Sequence, residues 1–201
     1  FTLEDVLPTT QFAERTGATI RRAGGFMHRA IWTNDVRIEI EGVARSTRDF
    51  GPVLVDPDEP GDARFLVGFH HNAYFATKYD ETRSVTPGHV LLMAGRGAES
   101  RAKNRPTQLF GRTATPPAPL GSNVKCALQL RGTNLEFTTG VDPKSAAKLT
   151  FNLKAATQSF PRLRAGLLVR ESEFEITRIV VSGRVHETWL EEESARLKAT
   201  L

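Results

Sequence analysis

The amino-acid sequence predicts an all-β protein, and the clearest evidence lies in residues 164–183 near the C-terminal end. A short apolar run over residues 164–169 is followed by a polar stretch and then by a segment in which apolar and polar residues alternate. Alternation with a period of two is typical of a strand and incompatible with a helical stripe. We therefore predict two strands joined by a polar turn at residues 170–173. The phase of the alternation changes after Thr177, which predicts either a β-bulge or a face that changes from half-exposed to buried.

Two further observations support this class: the regular spacing of short apolar runs and the scarcity of amphipathic helix. The clearest strand covers residues 36–44, where apolar residues alternate with Arg37, Glu39 and Glu41. Such a strand packs one face and exposes the other, as in an antiparallel sheet. About a dozen short strands at roughly 10–15-residue spacing are the signature of a sandwich or barrel. The other predicted strands are residues 18–22, 26–32, 50–55, 63–69, 73–79, 88–94, 108–112, 123–130, 134–138 and 148–154.

The segments between these runs carry turn and loop signals. Prolines and a glycine in residues 56–62 predict a turn, and His70, His71 and Asn72 predict a tight hairpin. Residues 189–201 predict a short helix, because acidic residues precede Arg196 and Lys198 and so match the helix dipole. We divide the chain into an entry segment (1–16), a β-sandwich domain (17–186) and a helical tail or linker (187–201). Since residue 1 is Phe, we expect a processed or excised piece of a longer protein.

Composition and charge limit the number of domains and the kinds of partner and location that the chain can have. The chain has 201 residues, 39% hydrophobic and 25% charged, which suits one folded domain. The net charge of +4 comes from scattered arginines, so nucleic acid is not an expected partner. Cys126 is the single cysteine, which excludes an intrachain disulfide and predicts a buried thiol. No stretch approaches the roughly 20 apolar residues of a membrane span, and a removed signal peptide would favour an extracytoplasmic location without fixing it.

The order of strands resembles the concanavalin A-like, laminin G-like β-sandwich superfamily. Three features carry the resemblance, which covers residues 17–183 and contains no diagnostic motif. They are the long early strand 32–44 followed by 50–55, the consecutive strands 63–69 and 73–78, and the closing segments 166–169 and 174–183. The resemblance implies a jelly roll of two antiparallel sheets. It also implies one of the superfamily's roles, which include glycan binding, adhesion and polysaccharide cleavage.

Polysaccharide-cleaving members of this superfamily imply two kinds of catalytic candidates. Hydrolases need two carboxylates, and Glu39 and Glu41 share a strand face, although the Glu-x-Asp-x-x-Glu arrangement of one large group is absent. Lyases on this fold use tyrosine and histidine, for which His70, His71 and Tyr74 are the candidates. We favour a non-catalytic interpretation of both sets: a solvated strand face for the two glutamates, and a hairpin turn with core aromatics for the histidines and the tyrosine. Catalysis is therefore the alternative prediction.

Ligand and metal candidates lie mostly in loops. Arg96, Arg101, Lys103 and Arg105 would form a basic rim for sulfate, uronate or phosphate groups. Trp32 is either an aromatic platform for a sugar or a core residue, the core being favoured. No cofactor is predicted. The superfamily commonly binds calcium, for which the weak candidates are the carboxylates of the acidic loop, Asp56, Asp58 and Asp62.

These observations predict a non-catalytic binding or scaffolding module of a larger protein, which recognises a glycan or a protein ligand at the concave sheet or its loops. A polysaccharide hydrolase or lyase is the alternative, and it requires a deep cleft that gathers His70, His71, Tyr74, Glu39 or Glu41. An inert spacer beside other domains of the same chain is a third class. It predicts no occupied groove.

Overall fold

The computed structural model describes residues 10–13, 17–45, 49–56, 64–71, 89–96, 108–115, 118–119, 121–142, 144, 146–156 and 159–199. Within these residues the chain forms eleven strands, a 3₁₀ turn at Leu153–Ala156 and one α-helix. The all-β prediction with a C-terminal helix is confirmed. The elements are β1 (Thr10–Ala13), β2 (Gly17–Met27), β3 (Trp32–Ala44), β4 (Asp49–Val55), β5 (Arg64–His71), β6 (His89–Arg96), β7 (Gln108–Ala114), β8 (Asn123–Arg131), β9 (Asn134–Gly140), β10 (Ala147–Asn152), β11 (Arg164–Val185) and α1 (Glu187–Ala199).

The strands form two antiparallel sheets that share β11. The first sheet has the order β10-β9-β8-β3-β11, and the second has the order β11-β4-β5-β6-β7. The first part of β11 pairs with β4 and the second part pairs with β3. β2 pairs along the other edge of β11, and β1 pairs with β2. A strand that passes from one sheet to the other is a common way to join the layers of a sandwich.

β11 is one strand of 22 residues, so the predicted turn at residues 170–173 is wrong. The pairing register with β2 shifts between Arg170 and Ser172, and the strand continues beyond it. β2 runs beside the polar stretch and supplies backbone hydrogen-bond partners on both sides of the shift, which keeps the stretch extended. A second register shift, between Ile176 and Arg178, confirms the bulge predicted from the change of phase.

β2 is also one strand, although the sequence predicted two separate runs. Its middle contains consecutive glycines, and a Cβ atom at Gly25 would overlap the carbonyl oxygen of Leu167 in β11. Glycine therefore permits the close approach of β2 to β11, where the sequence pattern alone favoured a break. The predicted strand 26–32 ends earlier than expected, and Trp32 instead begins β3.

The core lies between the inner faces of the two sheets. Phe50 of β4 stacks on Phe174 of β11 with 4.8 Å between ring centroids, and both side chains are fully buried. Phe137 of β9 packs against Gly68 of the opposite sheet, where a Cβ atom would overlap the phenyl ring. These contacts join the layers by apolar burial, as in other β-sandwiches.

The outer faces of the two sheets differ in chemistry. On the second sheet and the adjoining end of β2, nine apolar side chains form what we call the apolar face: Val53, Val67, Phe69, Met27, Val55, Phe65, Leu91, Met93 and Leu168. On the first sheet, most outward side chains are polar or charged, and we call this surface the polar face. Leaving out Val43, Asn123 and Glu175 at one end, we define the polar face by Asp35, Arg37, Glu39, Glu41, Lys125, Ala127, Gln129, Arg131, Asn134, Glu136, Thr138, Lys148, Thr150, Asn152, Arg178, Val180 and Ser182.

α1 is anchored to the sandwich near its first turns. Arg29 donates to Glu193 at 2.8 Å, the backbone N–H of His186 donates to Ile31 at 2.8 Å, and the half-buried Trp189 packs against the core. Glu187 lies in the first turn, with Arg196 and Lys198 in the last, as the dipole argument predicted. In the described part of the chain, no helix is long and apolar enough to cross a membrane.

Candidate functional site

A pocket of about 270 Å³ opens on the polar face at strands β3, β8 and β9. The register places Glu39 opposite Ala127, and Ala127 opposite Thr138. Because Ala127 is small, the surface is depressed between its two polar neighbours. The pocket is lined by Arg37, Glu39, Ile40, Glu41, Lys125, Cys126, Ala127, Thr138, Thr139, Gly140 and Ala146.

One end of the pocket is closed by the connection between β9 and β10. Gly140 faces Ala146, and a Cβ atom at Gly140 would lie 2.8 Å from the Cα atom of Ala146. A larger residue at position 140 would therefore push this connection away from the sheet. Asp142 shapes the same connection, because its Oδ1 accepts a hydrogen bond of 2.9 Å from the backbone N–H of Lys144.

Hydrogen bonds orient the polar groups around the pocket. The Arg37 guanidinium donates through Nε to Glu39 at 2.6 Å and through Nη1 to Gln129 at 3.2 Å. Glu41 lies between two cations, Lys125 at 2.9 Å and Arg178 at 3.0 Å. The hydrogen bond from Lys125 is the largest cause that lowers the pKa of Glu41, while burial opposes it and Arg178 adds to it. Glu41 is therefore ionised at neutral pH.

The remaining charges of the polar face are also paired. Lys148 lies 2.7 Å from Glu136 on the neighbouring strand, and Arg131 lies 3.9 Å from Asp35. These contacts follow the strand register across the sheet, as cross-strand pairs commonly do. They hold the long side chains along the surface while leaving most of them partly exposed.

Beneath the pocket, three polar side chains connect the sheets through the core. The Sγ of Cys126 lies 3.1 Å from Thr139 Oγ1, which lies 3.2 Å from His70 Nδ1. Burial raises the pKa of Cys126 to about 12, so the predicted buried thiol is confirmed. The His70 ring, 1% exposed, stacks on Phe50. His70 is therefore separated from Glu39 and Glu41 by the thickness of the first sheet.

This separation bears on the alternative of catalysis. A hydrolase needs a carboxylic acid whose pKa is raised so that it can donate a proton, whereas the pKa of Glu41 is lowered. A cleft that gathers His70 with Glu39 and Glu41 is not formed by the described residues. Tyr74 lies outside the described residues, and His71 is described only by its backbone pairing in β5. What the described arrangement offers is a set of oriented hydrogen-bond donors and acceptors.

Trp32 is a core residue and not an exposed sugar platform. It is 8% exposed and belongs to the main hydrophobic cluster. It begins β3, where its backbone exchanges two hydrogen bonds with Leu163, at 2.8 and 2.9 Å. This burial agrees with the favoured core interpretation, and it gives no support to Trp32 as a ligand-binding residue.

The other candidates are placed only in part. Asp56 is 3% exposed and accepts a 2.6 Å bond from Arg64, whose guanidinium lies over the Phe160 ring. It stabilises the base of the β4–β5 pair. Arg96 is the last residue of β6. The other candidates of the basic rim and the acidic loop, Arg101, Lys103, Arg105, Asp58 and Asp62, lie outside the described residues. The calcium and basic-rim predictions therefore stay predictions.

Sequence reasoning missed Lys125 and Thr138 as parts of the pocket, and Gln129 as a partner of Arg37 beside it. The available signal was the alternation of polar residues in residues 123–131 and 134–140, which matches that of β3. The alternation indicated outward side chains but not their neighbours. Only the strand order β9-β8-β3 brings these residues beside Arg37 and Glu39.

No protein-family model matches the chain, and no curated protein matches its sequence. Solved structures do match its fold. The carbohydrate-binding module CBM66 from Bacillus subtilis superposes with a TM-score of 0.56 and 10% identity, over 87% of this chain and 91% of that module.

Two further solved structures give similar values. The exoplasmic/lumenal domain of VIP36, in a form bound to Ca²⁺ and Man3GlcNAc, has a TM-score of 0.57 and 11% identity over 94% of this chain and 87% of that one. The basic winged bean lectin with Tn-antigen has a TM-score of 0.56 and 7% identity over 92% and 89%. At such low identity the likeness concerns the fold. The chain therefore has the concanavalin A-like β-sandwich fold that its strand order resembled.

Proposed function

We propose that this protein is a non-catalytic glycan-binding module that holds its ligand in the pocket of the polar face. The proposal rests on the arrangement of hydrogen-bond donors and acceptors, which alternate around a pocket whose floor is the small side chain of Ala127. Arg37 and Lys125 donate, Glu39 and Glu41 accept, and Ala127 leaves the space. A sugar hydroxyl both donates and accepts, so it matches such a surface.

The solved structures of similar fold support the same class of ligand. One is named as a carbohydrate-binding module, one is described with bound Man3GlcNAc, and one with Tn-antigen. These names concern those proteins. The role of this chain within a larger protein, and a protein ligand in place of a glycan, stay predictions from the sequence.

We expect weak binding by a single site. The outward apolar side chains among the listed residues of the polar face are Ala127 and Val180, and neither offers the flat aromatic surface on which a sugar ring stacks. Hydrogen bonds exchanged with water contribute little net free energy each. A dissociation constant of about 1 mM, the equivalent of about −4 kcal/mol, is the appropriate scale.

The experiment is a screen of the purified protein against immobilised glycans, with calcium and again with chelator. Binding should be saturable and should fall at least tenfold in Arg37→Ala, because that change removes donors at the pocket. Arg112→Ala is the matched control, since Arg112 is exposed on β7 of the second sheet.

The outcomes of this screen separate the function classes. Retained binding in Arg37→Ala would contradict the site, and silence across all glycans would contradict the function. The size of each polysaccharide is measured afterwards, because shortened chains would support the hydrolase or lyase alternative. Loss of binding with chelator would add a calcium requirement.

A further inference from the structure

The charges of the polar face are balanced and mutually paired. It carries five cations, Arg37, Lys125, Arg131, Lys148 and Arg178, and four carboxylates, Asp35, Glu39, Glu41 and Glu136. All nine take part in ion pairs within the face. The whole chain has a formal net charge of +4, but this face accounts for only one unit of that excess (five cations minus four carboxylates).

We propose that the polar face selects uncharged, hydroxyl-rich glycans over uronates and sulfated glycans. This inference rests on the proposed function and names its ligand class. It differs from the sequence prediction of a basic rim, which would favour acidic glycans. The pair formed by Arg37 and Glu39 lies at the pocket and is the principal specificity determinant.

The physical reason is that the two cations among the described lining residues, Arg37 and Lys125, are each paired with a carboxylate. An anion that approaches the Arg37 guanidinium also approaches Glu39, whose Oε1 lies 2.6 Å from Arg37 Nε. Like charges at such separations repel each other. The same holds at Glu41, where one carboxylate faces both Lys125 and Arg178. A sulfate or uronate would have to displace a carboxylate before it gained a full ion pair.

A neutral sugar meets no such opposition. One hydroxyl can accept a hydrogen bond from an arginine N–H while donating to the neighbouring carboxylate oxygen. The side chain of Glu39 is 41% exposed and that of Arg37 is 35% exposed, so both groups are accessible to a ligand. Vicinal hydroxyls thus match an Arg–Glu pair without disturbing it.

The test uses neutral polysaccharides, each paired with its own sulfated derivative. Mannan, levan, galactan and dextran serve as the neutral members, so that backbone and length are shared within a pair. Retardation in affinity gel electrophoresis is measured for the native protein and for Arg37→Ala. Only the part of the retardation that Arg37→Ala removes is assigned to the polar face.

We expect this Arg37-dependent binding to be at least tenfold stronger for a neutral polymer than for its sulfated derivative, with little dependence on salt. Equal or stronger binding of the sulfated derivative at the same face would overturn the inference and leave glycan binding intact. No Arg37-dependent binding to any polymer would instead overturn the proposed function.

A second variant tests the cause of the selection. Glu39→Gln removes one carboxylate and leaves Arg37 without its ionic partner, so Arg37-dependent binding of the sulfated polymer should rise about fivefold, the equivalent of ~1 kcal/mol. Glu191→Gln, on the exposed surface of α1, changes the net charge equally and should have no such effect. An equal rise in both variants would show that net charge, and not the Arg37–Glu39 pair, sets the preference, which overturns the role assigned to the pair.

Discussion

The outer faces of the two sheets differ in chemistry because the strands that form them differ in sequence pattern. On the polar face, Arg37, Glu39 and Glu41 project from β3 and pair with neighbouring side chains. On the apolar face, Val53 and Val67 are completely buried and belong to a second hydrophobic cluster. The polar face is exposed enough to exchange bound water for a ligand, whereas the apolar face makes the second sheet buried on both of its sides.

This difference teaches how to distinguish a binding surface from a structural one. Strands β4, β5 and β6 have apolar residues at nearly every position, a pattern typical of strands that are buried on both faces. Strand β3 alternates strictly between Asp35 and Ala44. Substitutions on the apolar face should therefore change stability, and substitutions on the polar face should change ligand binding with little loss of stability.

The largest effect is expected for a charge on the apolar face. Val67→Lys should destabilise the protein by about 4 kcal/mol, because a charge is buried without a partner. Thr150→Lys places the same side chain on the exposed part of β10 and should change stability by less than about 0.5 kcal/mol. Urea denaturation measures both, and similar losses would show that the two faces do not differ as described.

A smaller effect is expected when apolar volume is removed. Val53→Ala should cost about 2 kcal/mol, since Val53 has no exposed surface and its lost methyl groups leave a cavity. Val180→Ala, at a half-buried position of the polar face, should cost about 0.5 kcal/mol. The measurement is the denaturation midpoint, compared between variants that share the same dependence of unfolding free energy on denaturant. A greater loss of stability in Val180→Ala than in Val53→Ala would contradict the assignment of Val53 to the buried face.

The smallest effect concerns the acid sensitivity of the polar face. Because the folded-state pKa of Glu41 is lowered, its ion pairs stabilise the protein above the unfolded pKa of about 4.3 and lose that contribution as the pH falls through the folded value. The wild type should therefore lose stability below about pH 4.3 partly because Glu41 becomes protonated, and Glu41→Gln should lack this part of the loss. For partly exposed ion pairs we expect it to be less than about 1 kcal/mol. The measurement is the free energy of unfolding from pH 3 to 6. If it changed with pH equally in the wild type and the variant, the prediction would be contradicted.

The sequence was a good guide wherever structure depends on local pattern. Alternation predicted β3 and its charged face, the phase change predicted the bulge near Thr177, and charge order predicted α1. It was a poor guide to residues 170–173, whose polar composition suggested a turn. There the neighbouring β2 strand, distant in the chain, determines that β11 continues.

By itself, the sequence determined the fold class and the side of each strand that faces the core, because a period of two is a property of the local backbone. Only the tertiary structure decided which outward side chains meet. Arg37, Gln129 and Glu136 are far apart in the chain and become neighbours through the register of β3, β8 and β9. Strand register is set by contacts across the whole sandwich, so the pocket and its charge balance follow from packing rather than from any local motif.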